Sequence, residues 1–166
     1  MNKLFSFISI IIFTLSSSLV HGQDFTVNEL MQLRTSSLSN FETVVMGKGY
    51  ILNDIDKEYD HYVTFKKDHN TISYGYIKGE HFQEIDTVII YLLAKEEEYN
   101  KLKASVKENA KHPNKTHFFK NEKHILHVNL DNGVVAHFFT KYNERPLYEV
   151  EITTMEADKY NYMSKH

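Results

Sequence analysis

A chain of 166 residues with 19 basic and 22 acidic side chains has a formal charge of −3, and 42% hydrophobic residues are enough to build a core. The absence of cysteine excludes disulfides, thiolate metal sites and cysteine nucleophiles. An acidic balance offers no footprint for a phosphate backbone, which sets nucleic acid aside as a partner.

The first 22 residues read as an export signal. Lys3 supplies the positive start, Leu4 to Leu15 the apolar run, and Val20-His21-Gly22 the small-residue cleavage site. The run is shorter than the roughly 20 residues a membrane span needs. Cleavage before Gln23 is therefore expected, giving a secreted or periplasmic protein with no stable membrane span. Loss of Lys3 leaves 18 basic against 22 acidic residues. Residues 23–155 then suffice for one domain, with a polar tail at 156–166.

Two short helices should open the domain. Thr26 and Glu29 have capping-box spacing, Phe25 and Leu30 the spacing of a hydrophobic staple, and Thr35-Ser36-Ser37 ends the turn. A second capping pattern at Ser39 to Glu42 starts a helix with Phe41, Val44 and Val45 inward, stopped by Gly47 or Gly49. Such a helical hairpin has no basic recognition face, so packing is expected of it instead of DNA reading.

Strands follow at 50–56, 61–67, 71–78 and 86–93. The unbroken apolar run Val88 to Leu93 predicts a central strand covered on both faces. From Lys95 to Lys111 the period becomes helical, with Tyr99, Leu102, Val106 and Ala110 on one side. Further strands are expected at 115–120, 123–130, 134–142 and 146–154. Asn132-Gly133 suits a two-residue turn, which pairs Leu126 with Phe139, Val128 with His137 and Leu130 with Val135 on the core side. Shifted by 63 positions, the same pattern returns in His61 to Tyr76, with Val63, Phe65, Ile72, Tyr74 and Tyr76 inward. This suggests two half-repeats, about 26–93 and 94–155.

The expected fold is α+β: antiparallel sheet from two four-strand meanders, a short helical hairpin at the start and a longer helix between the halves. The alternative is a cystatin-like curved sheet on a helix. From Thr26 to Met155 the order of elements resembles the tandem helix-plus-sheet repeats of the β-lactamase inhibitor protein and related small exported envelope proteins. Those repeats are disulfide-stapled and this chain has no cysteine, so no contact residue carries over. The opening FTVNELMQLRTSSLSNF followed by GKGY also looks like the start of many exported bacterial proteins.

Among ten histidines, the richest group is His117, His124, His127 and His137; the expected pairing places His117, His124 and His137 on one side of three neighbouring strands and points His127 the other way. Leu126 and Phe139 stand among them, which opposes convergence on one ion. No cofactor is expected. Nucleophile elbow, zinc-binding helix and phosphate loop are all missing from the sequence. The eleven tyrosines are the larger excess, and Tyr62, Tyr74, Tyr76, Tyr142 and Tyr148 are candidates for gripping a protein or a glycan. Tyr74 and Tyr76 share the face of Val63 and Phe65, the reading in which they are core. These features point to a non-catalytic exported binding protein, of inhibitor or immunity type. A small hydrolase or metal-dependent enzyme using the histidine-rich strands is the alternative.

Overall fold

A computed structural model describes residues 24–55, 62–78, 84–109, 115–120, 123–130, 133–141 and 147–154. Their side chains are described except at 77–78, 84–85, 107–109, 115–120, 123–125 and 141. The expected signal segment, its cleavage point and the polar tail fall outside these residues.

Helix α1, Val27–Arg34, starts as its sequence dictates. The Thr26 hydroxyl accepts from the Glu29 backbone at 3.2 Å, while the Glu29 carboxylate accepts from the Thr26 backbone N–H at 2.7 Å. Helix α2, Leu38–Gly47, is capped by Ser37, two residues before the expected start, because the Ser37 hydroxyl accepts from the Asn40 backbone. Its end is a Schellman turn. Gly49, at φ 86°, donates to the Met46 carbonyl and Tyr50 to that of Val45, a conformation that favours glycine.

Among the described residues eight strands form one sheet: β1 Ile51–Ile55, β2 Val63–Lys67, β3 Asn70–Lys78, β4 Glu84–Leu93, β5 Lys115–Lys120, β6 Lys123–Asn129, β7 Val134–Lys141 and β8 Leu147–Thr154. Their order is β1-β2-β3-β4-β8-β7-β6-β5, antiparallel throughout. Two four-strand meanders thus meet along β4 and β8, and helix α3, Glu96–Asn109, links them in sequence. The fold is the α+β arrangement expected. The apolar run Val88 to Leu93 takes the central place assigned to it, between β3 and β8.

The three helices of the described residues pack on the same face of the sheet. Phe25 meets Tyr91, Phe41 meets Phe65 and Tyr74, and Tyr99 meets Phe138 and Tyr148, with ring centroids 5.1 to 5.9 Å apart. On the far face Val88, Val135 and Thr153 are also buried. At one edge β1 is exposed, with Ile51 70% and Leu52 52% accessible. A register shift between Leu52 and Asp54 interrupts its ladder, a device that discourages further strand pairing.

One register differs from the expected one. Leu126 pairs with Phe138 and Val128 with Ala136, one residue away from the two-residue-turn alignment. The Leu130 N–H donates to the Val134 carbonyl at 2.8 Å, so the loop holds three residues, with Gly133 at φ 70°. Because side chains alternate, this single step puts Val134, Ala136, Phe138 and Thr140 under the helices and moves Val135, His137 and Phe139 to the far face. In the first meander the two-residue connection Asp68-His69 pairs Val63 with Tyr74 and Phe65 with Ile72, and all four side chains are buried on the inward side expected of them.

Leu102 is fully buried where α3 meets the sheet. Replacing it with Asp buries an unpaired charge, and urea melts should show a loss of at least about 3 kcal/mol. An unchanged midpoint would mean that the helix packs through another face.

Candidate functional site

The tyrosine candidates separate by face. Tyr74 is 3% and Tyr148 7% exposed beneath the helices, and the Tyr74 hydroxyl donates to the Ser36 carbonyl at 2.9 Å. Tyr76 packs edge-on against Tyr74. These rings hold helices to sheet, and side chains as buried as Tyr74 and Tyr148 offer a partner almost no surface. Tyr62 lies on the far face, over Gly75, where an added Cβ would stand 2.1 Å from the ring. Tyr142 falls outside the described residues.

The strand register does not align the histidine candidates as expected. His137 pairs with His127, their rings 4.8 Å apart on the far face, while His117 is registered against Leu126 and His124 against Thr140. The three-residue loop causes this separation. The side chains of His117 and His124 lie outside the described set. Among the described residues no group of three or more His, Cys, Asp or Glu is placed to hold a metal ion, and no helix is long and apolar enough to cross a membrane.

Two polar constellations appear that the sequence did not announce. The first ties the start of the domain to the sheet. Asp24 accepts from Lys67 at 2.6 Å and from the Tyr50 hydroxyl at 3.1 Å, while Lys48 bridges the Asp24 carbonyl at 2.6 Å and Glu29 at 2.9 Å. Tyr50 and Tyr91 share a hydrogen bond at 3.1 Å, and Asn70, which donates to Glu98, approaches Tyr91. Burial pushes both tyrosine hydroxyls well above their usual range, reinforced at Tyr50 by its contact with Tyr91 and by Asp24. Burial alone would raise the Glu29 carboxyl, but hydrogen bonds from Lys48 and Thr26 outweigh it and hold the group low. The network anchors the start of the domain to the sheet.

The second constellation is a cleft beside α1. Asn28, Met31, Gln32 and Thr35 fall at i, i+3, i+4 and i+7, one side of the helix, while Val27, Leu30 and Leu33 are buried. With Arg34 and Val134 they line an open cavity of about 340 Å³. Arg34 Nη1 donates to both Asp86 oxygens, at 3.0 and 3.1 Å, across 52 positions of sequence. The two side chains are only 11% and 19% exposed. Arg34 Nε is buried with no acceptor among the described residues. A buried donor left so costs about 1–3 kcal/mol, which calls for an explanation. Its described wall combines amides, a hydroxyl, one guanidinium and two apolar side chains.

Adding a methyl group at Gly75 forces the Tyr62 ring aside. Gly75→Ala should destabilise the parent by about 1–3 kcal/mol and become neutral in a Tyr62→Ala background, a coupling that denaturant melts of the four variants will read. The buried hydroxyls fix the sign of an alkaline effect. Unfolded tyrosines ionise near pH ~10 while Tyr50 and Tyr91 keep their protons, so stability is intact below that pH and falls as pH rises above it. The combined Tyr50→Phe, Tyr91→Phe variant should show a shallower fall.

The sequence matches no protein-family model, and comparison with curated proteins and with solved structures finds no similar chain, so the likeness to tandem helix-plus-sheet repeats rests on the order of elements alone.

Proposed function

We propose that this protein is an exported, non-catalytic binding protein of the cell envelope or exterior, acting as an inhibitor or immunity-type partner of another protein or through a glycan. The observation that carries the reading is the cleft beside α1. Its described lining offers amide, hydroxyl, guanidinium and thioether contacts, with no nucleophile held against a base. Export is supported by the Lys3, Leu4 to Leu15 and Val20-His21-Gly22 pattern. A cleft of this kind recognises through contact area and a few polar anchors, and Arg is prominent among residues that carry binding energy.

Intact mass of protein recovered from outside the cytoplasm should correspond to a chain starting at or near Gln23, and recovery of all 166 residues from the cytoplasm would refute export. For binding, Asn28 and Gln32 are exposed on the rim, so Asn28→Arg and Gln32→Arg should leave melting within about 0.5 kcal/mol of the parent. Each should weaken capture of the partner from envelope extract at least about tenfold. Equal capture by parent and both variants would remove the cleft from the binding surface.

A further inference from the structure

The guanidinium of Arg34 is only half used. Asp86 engages Nη1 with both of its oxygens, which leaves the Nε/Nη2 edge, the fork that receives a planar oxyanion through two parallel hydrogen bonds. Nε on that edge is buried without an acceptor among the described residues, and Arg34 belongs to the wall of the cleft. We infer that the cleft beside α1 binds a carboxylate carrying an adjacent apolar group, with the carboxylate on the Nε/Nη2 edge of Arg34 and the apolar group against Met31 and Val134.

Charge selects the class of ligand. Asp86 already offsets the guanidinium, and Arg34 is the only cation among the described lining residues. A phosphate dianion would therefore lack compensation, whereas a singly charged, planar group matches the free fork. Asn28, Gln32 and Thr35 can donate to oxygens or accept from an amide next to the carboxylate. Met31 and Val134 supply the apolar contact. A free branched-chain acid and the C-terminus of a peptide share this chemistry. The inference rests on the reading of this cleft as the binding site.

Arginine occurs only at positions 34 and 145, so the Nε–Hε signals of ¹⁵N-labelled protein resolve into two and serve as a direct probe. Three compounds are titrated: isovalerate, N-acetyl-Gly-Gly-Val with a free carboxylate, and the same peptide as its C-terminal amide. The expected result is a saturable downfield shift of the Arg34 signal with the two carboxylates, none at Arg145, and none with the amide. Binding of the peptide at least tenfold tighter than isovalerate supports the inference with a chain terminus as the source, and equal binding supports it with a free acid as the source.

No saturable Arg34 shift with either acid overturns the inference, and so does an equal shift with the amide, which would mark the orphan donor as a site for water or any passing acceptor. Arg34→Lys keeps a cation beside Asp86 but lacks the fork, and should bind the acids at least tenfold more weakly; parent-like binding refutes the assignment. Should that variant fail to fold, Gln32→Glu places a repelling charge on the exposed rim and should weaken the same titration, and an undiminished titration overturns the inference. Failure here leaves envelope-partner capture and its sensitivity to Asn28→Arg and Gln32→Arg intact. Failure of the binding reading shows instead as capture indifferent to those variants.

Discussion

The seam between β4 and β8 is the constraint on which the fold depends. Ile89 pairs with Ile152, Tyr91 with Val150 and Leu93 with Tyr148, and these pairs lie under the helices as the middle of one core. Without the seam each meander would end in an exposed apolar edge. With it, α1 and α3 both reach β4 and β8, so helices from the two parts of the chain rest on one continuous platform. The partners are some sixty residues apart, and closing such a loop costs entropy before any contact compensates for it. Burial of the six apolar side chains at the seam, at about 25 cal/mol per Å² of apolar area, is the main term opposing that cost.

Local signals in the sequence carried the fold far, and their failure has a specific cause. The capping box at Thr26 and Glu29, the apolar period of α3 and the run Val88 to Leu93 were readable because each depends on neighbours within a turn or a strand. The β6–β7 hairpin departs by one residue from the register its turn residues suggest. Asn132-Gly133 satisfies a two-residue turn, but the same Gly133 at positive φ also closes a three-residue loop, and composition cannot distinguish them. Burial of His137 on the far face and of Thr140 on the helix face follows from that step. Thr140 is accommodated because its hydroxyl donates to Tyr99 at 3.2 Å.

The site was far less legible than the fold. Tyrosines drew notice by number, yet Tyr74, Tyr91, Tyr99 and Tyr148 have buried rings that join helices to sheet, the role a large aromatic with a polar tip fills in a core without disulfides. Arg34 gave a weak signal, as one of only two arginines and as the basic residue in the last turn of α1. Its partner Asp86 was invisible, because the pair forms only once α1 lies across the start of β4. Spacing rules find ligands on one helix or one hairpin; they do not find an ion pair made by tertiary packing.

That packing also bears on how well the cleft is suited to bind. Helix α1 has only eight residues, too few to be stable alone, so its outer ridge is ordered by what holds its ends. At the first turn Glu29 is gripped by Thr26 and Lys48, and Lys48 reaches back to Asp24, which Lys67 and Tyr50 fix to the sheet and the end of α2. At the last turn Arg34 is fixed to Asp86, and just beyond it Tyr74 holds the Ser36 carbonyl. A ridge clamped at both ends loses little further freedom when a ligand settles on it, and ordering cost is what separates a tight interface from a weak one of equal area. The anchor around Asp24 and the pair at Arg34 therefore act from opposite ends of the helix to fix the ridge of Asn28, Met31, Gln32 and Thr35. The largely buried ion pair makes the same point energetically, since desolvating two charges contributes little net stability and a hydrophobic pair could replace it at no loss. What a hydrophobic pair could not supply is a guanidinium held in place with one edge unused.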